Sequence, residues 1–233
     1  CIPMLKRSDI KKEAAKIVNE ELTVDNSLFL YHDVCTNGIG YVDLMFKTDS
    51  IAPEQIPYLG LLKSVLGYVD TEHYTYGELF NEINANTGGI NCGVEVFDRA
   101  DSTEEFQAMF SVRGKALYTK MDFLFKMIGE ILNSSKLEDT KRLYEIVASV
   151  KSRAQVNLTG AGHSTAVLRA AAYSSPMAAF QDEMAGIGYY QFIEKLEKDF
   201  EQRKEETVEE LCKLMKKILR PENFMISYTG ERE

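Results

Sequence analysis

A chain of 233 residues in which 45% are hydrophobic and 27% charged carries enough apolar material to close a core, and too much to stay disordered. Its 36 Asp and Glu outnumber 27 Lys and Arg, for a net charge of −9, and that field repels a nucleic-acid duplex or an anionic membrane surface. No apolar run approaches the roughly 20 residues of a spanning helix, so neither nucleic acid nor membrane is expected as a partner.

Cys1 leads directly into the charged segment Lys6-Arg7-Ser8-Asp9, which reads as the interior of a longer polypeptide. Residues 8–22 read as a helix capped by Ser8 or Asp9, with Ile10, Ala14, Ile17 and Val18 at helical spacing. We take residues 1–24 as a lead-in. Leu28 to Val34 and Ile39 to Thr48 then alternate apolar with polar residues around Cys35-Thr36-Asn37-Gly38, and Asn-Gly between two such runs predicts a tight antiparallel hairpin.

Pro53 suits a first helical turn, because its missing N–H has no partner there, and Ile56, Leu59, Leu62, Val65, Leu66 and Val69 form an apolar stripe behind it. Thr75 and Glu78 make a capping box for a helix to about Asn86, which Thr87-Gly88-Gly89 ends. A second hairpin follows: Ile90, Cys92, Val94 and Val96 alternate with Asn91, Gly93, Glu95 and Phe97, and Phe106, Ala108, Phe110 and Val112 with Gln107, Met109, Ser111 and Arg113. From Ala116 the period becomes helical: Leu117 to Leu132, then a helix opened by a capping box at Ser135 and Glu138 and running to about Leu158. After a break at residues 159–163 come an Ala-rich helix to Ala172, a short one from Pro176 ended by Gly186-Ile187-Gly188, and a long charged one from Tyr189 to Leu219. A last strand, Phe224 to Thr229, rejoins the sheet by this long connection. The expected fold is one α+β domain over residues 25–233, an antiparallel sheet with helices packed on one face and its polar face open.

Local chemistry is sparse. A helix supplies two zinc ligands when two His stand four apart, and His32, His73 and His163 fall in three separate settings. Nucleophile-elbow, phosphate-loop and dinucleotide patterns are missing, and the pairs at Gly38, Gly160 and Gly186 read as turns or helix ends. Glu194, Glu197, Glu201 and Glu205 interleave with Lys and Arg as a solvated face. Tyr189, Tyr190 and Phe192, and Tyr173 near Phe180, read as packing residues. Cys35, Cys92 and Cys212, like Cys1, lack any C-x-x-C partner and read as buried thiols of a reducing compartment. The residues alone assign no catalytic group and no metal ligand.

Thr36-Asn37-Gly38-Ile39-Gly40-Tyr41, Pro57-Tyr58-Leu59-Gly60-Leu61-Leu62, Tyr76-Gly77-Glu78-Leu79, Thr87-Gly88-Gly89-Ile90, Gly162-His163 and Gly186-Ile187-Gly188-Tyr189-Tyr190-Gln191-Phe192, in that order, resemble the insulinase and pitrilysin superfamily of zinc metallopeptidases. The nearest branch is the presequence-protease and falcilysin group. The resemblance implies four related α+β domains closing as two halves around a peptide-sized chamber, with this chain as the third, the peptidase-associated domain. Zinc belongs to the first domain, on an H-x-x-E-H helix; the slots of that motif here hold Leu59, Leu62 and Lys63. Two apolar residues and a cation hold no zinc, so the resemblance implies no cofactor in this chain and zinc in the catalytic domain of the parent. It further implies an intracellular setting, bacterial cytoplasm or a eukaryotic organelle, with the other domains and unfolded peptides as partners. On this reading Asn91, Glu95, Gln107, Ser111 and Arg113 face the chamber. The alternative is a scaffold domain of an inactive superfamily member.

Overall fold

A computed structural model of the chain describes residues 4–10, 13, 16, 18–25, 27–99, 101, 102 and 104–232. Its centre is a six-stranded sheet in the order β1-β2-β6-β3-β5-β4. The strands are β1 (Glu20–Val24), β2 (Ser27–Asp33), β3 (Ile39–Lys47), β4 (Ile90–Asp98), β5 (Phe106–Leu117) and β6 (Phe224–Gly230). All neighbours are antiparallel except β2 and β6. The helices among the described residues are α1 (Ile56–Val65), α2 (Tyr76–Asn86), α3 (Met121–Ser134), α4 (Thr140–Gly160), α5 (Gly162–Ala171), α6 (Pro176–Ala185), α7 (Ile187–Lys198) and α8 (Phe200–Ile218).

Alternation along the strands builds one continuous apolar face. Val42, Leu44 and Phe46 of β3, Phe110 and Val112 of β5, and Ile226 and Tyr228 of β6 join the helices there in a single core. Phe46 stacks on Phe224 at 5.0 Å. Two glycines on this face let α3 come close: a Cβ at Gly40 would meet Met121 Sδ at 2.8 Å, and one at Gly114 would meet Leu124 Cδ1 at 2.7 Å. The second hairpin forms as expected, β4 on β5 with Asn91 opposite Arg113 and Gly93 opposite Ser111. Thr75 and Glu78 cap α2 reciprocally, and Pro53 opens the turn that enters α1.

The first hairpin does not form as such. β6 lies between β2 and β3, parallel to one and antiparallel to the other. Spanning an inserted strand means covering about 10 Å, within reach of the five residues between Asp33 and Ile39. Asn37 and Gly38 still take positive φ, 54° and 81°, so the local turn signal is obeyed while the pairing is not. The gain lies in β6, whose Phe224, Ile226 and Tyr228 reach the core only from an interior position. Glu231, just past β6, fastens the loop: its carboxylate accepts from the N–H groups of Thr36, Asn37 and Gly38 and from the Tyr118 hydroxyl.

Other boundaries shift for local reasons. Among the described residues the expected helix over 8–22 does not form: Arg7–Asp9 is a single 3-10 turn and Glu20–Val24 is an edge strand, while Ala14 and Ile17 lie outside the described residues. Leu117 ends β5 rather than starting a helix. Ser135 is no N-cap, since its hydroxyl donates to the Ile131 carbonyl at the end of α3; Asp139 caps α4 instead. The long charged helix is interrupted at Asp199, where φ is −103° and ψ 18°, giving α7 and α8. Its exposed face carries the expected Glu–Lys and Glu–Arg pairs at helical spacing.

Candidate functional site

The open face of the sheet collects the polar side chains that strand alternation turns away from the core. At its centre Arg113 of β5 spans two neighbouring strands: Nε donates to Asp43 Oδ2 of β3 at 2.7 Å and Nη1 lies 3.1 Å from Glu95 Oε1 of β4. The Asp43 carboxylate holds the guanidinium firmly in its charged form. The other oxygen of Asp43, Oδ1, is buried without a hydrogen-bond partner. Beside this cluster a shallow cavity of about 340 Å³ is bounded by Tyr41, Asp43, Asn91, Arg113, Lys115 and Ser227, among others. Farther along, on β2, His32 lies 3.1 Å from the Ser227 hydroxyl of β6 and 2.8 Å from the Val18 carbonyl, tying the lead-in to this face.

Of the five residues expected here, Asn91, Glu95, Ser111 and Arg113 come together on adjacent strands. Ser111 is buried, 1% exposed, and forms floor rather than surface. Gln107 sits at the far end of β5, donating to Asp49 and to its neighbour's carbonyl. Sequence reasoning missed Tyr41, Asp43 and Lys115. The alternation Tyr41, Asp43, Met45 against Val42, Leu44, Phe46 carried the signal, but only the strand order reveals that β3 adjoins β5.

The zinc slots are readable directly. Leu59 and Leu62 on α1 are 0% and 1% exposed and lie in the core, while Lys63 borders a groove beside β4. Those residues do not fit a zinc ion. Among the described residues no group of three or more His, Cys, Asp and Glu is placed to hold a metal. His73 is engaged by Glu130 at 3.0 Å. Cys92 and Cys212 are half-buried, the Cys92 thiol pushed up to about 12 by burial, whereas Cys35 is exposed, against expectation; Cys1 lies outside the described residues. Tyr189 is buried and its ring stacks near Phe192, which packs edge-on against Tyr58. No described helix is long and apolar enough to cross a membrane.

Comparison with known proteins is consistent over the length of the chain. A family model described as "Peptidase M-16C associated" matches residues 1–196. The chain is 36% identical over its whole length to Protein HypA of Clostridium perfringens, of which it covers 24%. It is 26% identical over 99% of its length to presequence protease 1, chloroplastic/mitochondrial, of Arabidopsis thaliana, covering 21% of that protein, and 28% identical over its whole length to the mitochondrial presequence protease of Saccharomyces cerevisiae, covering 24%. It thus spans about a quarter of the length of these relatives. Among solved structures, a conserved protein from Enterococcus faecalis V583 superposes with a TM-score of 0.64 at 12% identity, over 92% of this chain and 49% of the other, a likeness of fold.

Proposed function

Since the chain belongs to the family of peptidase M-16C-associated domains, we propose that it is a non-catalytic domain of a longer, peptide-degrading zinc metalloendopeptidase, with its open sheet face forming part of the wall of the substrate chamber. The observation that carries this is the Arg113 bridge between Asp43 and Glu95, set beside a cavity on a face the helices leave uncovered. Such a surface offers a peptide donors from Asn91, Arg113 and Lys115. Asn91, Glu95 and Arg113 would touch substrate, Gln107 would meet it at the rim, and Ser111 would lie beneath.

The apolar α1 stripe explains why no chemistry is expected from this domain, and zinc would reside in the catalytic half of the parent. Residues 25–233 would act as one unit, with residues 1–24 leading in from the preceding half and lending Glu20–Val24 as an edge strand. Relatives named for mitochondria and chloroplasts support an intracellular or organellar setting.

The test places a photo-crosslinking amino acid at Tyr41 on the open face, or at Val167 on the exposed side of α5, in the full-length protein bearing this domain. Unfolded peptide substrate should be captured from position 41 and not from 167. Equal capture, or capture from 167 alone, overturns the enclosing role. The 233-residue chain by itself should neither retain stoichiometric zinc in elemental analysis nor cleave peptide in an EDTA-sensitive way.

A further inference from the structure

The sheet ends differently on its two sides. β1 closes one edge with five exposed residues, two of them glutamates. β4 closes the other, beside a groove of about 500 Å³. Residues 90–95 of β4 line that groove without a gap. Side chains alternate between faces along a strand, so a lining that takes every residue in turn follows the strand's edge, where backbone N–H and C=O groups lack a strand partner. A groove of this size lies within the range of ligand sites, about 300–1,000 Å³.

Its charge is specific. Lys63 from α1 and Arg153 from α4 border it, and Glu95 is the lone carboxylate among the lining residues. Glu95 is already engaged by Arg113 at 3.1 Å. Among the described residues neither Lys63 nor Arg153 forms an ion pair of its own. Burial holds the Lys63 ammonium below the ordinary lysine range, with Glu95 acting against that shift. In a chain of net charge −9, two cations facing a single carboxylate that Arg113 already engages, beside an unpaired strand edge, mark a local field of opposite sign.

We propose that this groove binds an extended peptide segment carrying a carboxylate side chain, which adds to the free edge of β4 as a further strand and sets its carboxylate against Lys63 and Arg153. Main-chain pairing supplies affinity at such an edge and side-chain pockets supply selectivity. The inference goes beyond the enclosing role and stands without it, because its two cations lie on α1 and α4 rather than on the open face.

The test titrates the 233-residue chain against a fluorescein-labelled octapeptide alternating Thr and Glu, read by anisotropy, beside the same peptide with Lys for Glu and one with alternate amides N-methylated. The Thr-Glu peptide should bind at least about tenfold more tightly than either comparator. Lys63→Met, which keeps the stem and removes the charge, should weaken binding by roughly fivefold or more, and Arg153→Ala by roughly threefold. Lys126→Ala, at an exposed cation of α3 that lines neither cavity, should leave it unchanged. The proposal fails if acidic and basic peptides bind alike, if N-methylation costs nothing, or if neither cation matters. Should Lys63→Met lose its helical circular dichroism, Arg153→Ala at its exposed position decides alone. A loss with Lys115→Ala, on the open face, but none at the two cations refutes the groove and favours that face.

Discussion

On the helix-covered side of the sheet, Val42, Phe110 and Val112 are 3%, 1% and 0% exposed. One residue along the same strands, Tyr41 stands 41% exposed and the Arg113 side chain 51%. The two faces share every backbone hydrogen bond and differ only in which side chains the pleat turns which way. The covered face therefore carries most of the burial that stabilises the fold, although Met45, Met109 and Ser111 are also buried on the other side, at 7%, 5% and 1% exposure. The exposed part of that other face is free to carry polar groups whose loss barely touches stability. If that division is right, equal truncations on the two sides should have unequal costs.

The sharpest break would come at Leu59. It is fully buried in α1, within the core that joins α1 to the sheet, and its removal leaves a cavity among close-packed neighbours. Leu59→Ala should cost about 2–5 kcal/mol in urea denaturation. Tyr41→Ala, which deletes more atoms from the open face, should cost less than about 1 kcal/mol. Comparable losses at the two positions would mean that the open face is not a free surface and that the comparison is misdrawn.

A second probe concerns the clasp that lets β6 enter the sheet between β2 and β3. Hydrogen bonds from the Cys35 thiol, the Tyr118 hydroxyl and the N–H groups of the 35–38 loop hold the Glu231 carboxyl at about 2, against about 4.3 for an unperturbed glutamate. A carboxyl depressed in the folded state contributes stability that is complete above its unfolded value and is lost as pH falls through its folded one. The contribution should therefore fade between about pH 4.3 and pH 2. Glu231→Gln should be less stable than the parent at pH 7, and the two denaturation midpoints should converge as pH approaches 2. Parallel profiles over that window would show that Glu231 does not fasten the loop.

That clasp also marks where the sequence stops being legible. The β4–β5 hairpin, the Thr75–Glu78 cap and the rejoining of β6 were all readable, because alternation and capping are local and the helices left one obvious place for a last apolar strand. The position of β6 was not: Asn37-Gly38 carries the strongest hairpin signal in the chain, and only the burial of Phe224, Ile226 and Tyr228, residues nearly two hundred positions away, overrides it. The lead-in misled for a related reason. Glu20–Val24 has no periodicity of its own to declare a strand and takes that form by pairing with β2. In the site, Asn91 and Arg113 were found by alternation within one hairpin, whereas Asp43 waited on the strand order that sets β3 against β5.

Arg113 gives the smallest expected effect in stability. Its two ion pairs tie three strands together, yet its side chain and that of Glu95 are 51% and 35% exposed, so solvent screens them and such pairs contribute about 0–1 kcal/mol. Removing it frees Glu95 to approach Lys63 and leaves Asp43 with neither oxygen satisfied. Arg113→Ala should thus shift the urea midpoint only slightly, while peptide capture from the open face in the full-length protein falls clearly. A large stability loss without any change in capture would make the bridge a structural tie between strands, and the open face would lose its best claim to touch substrate.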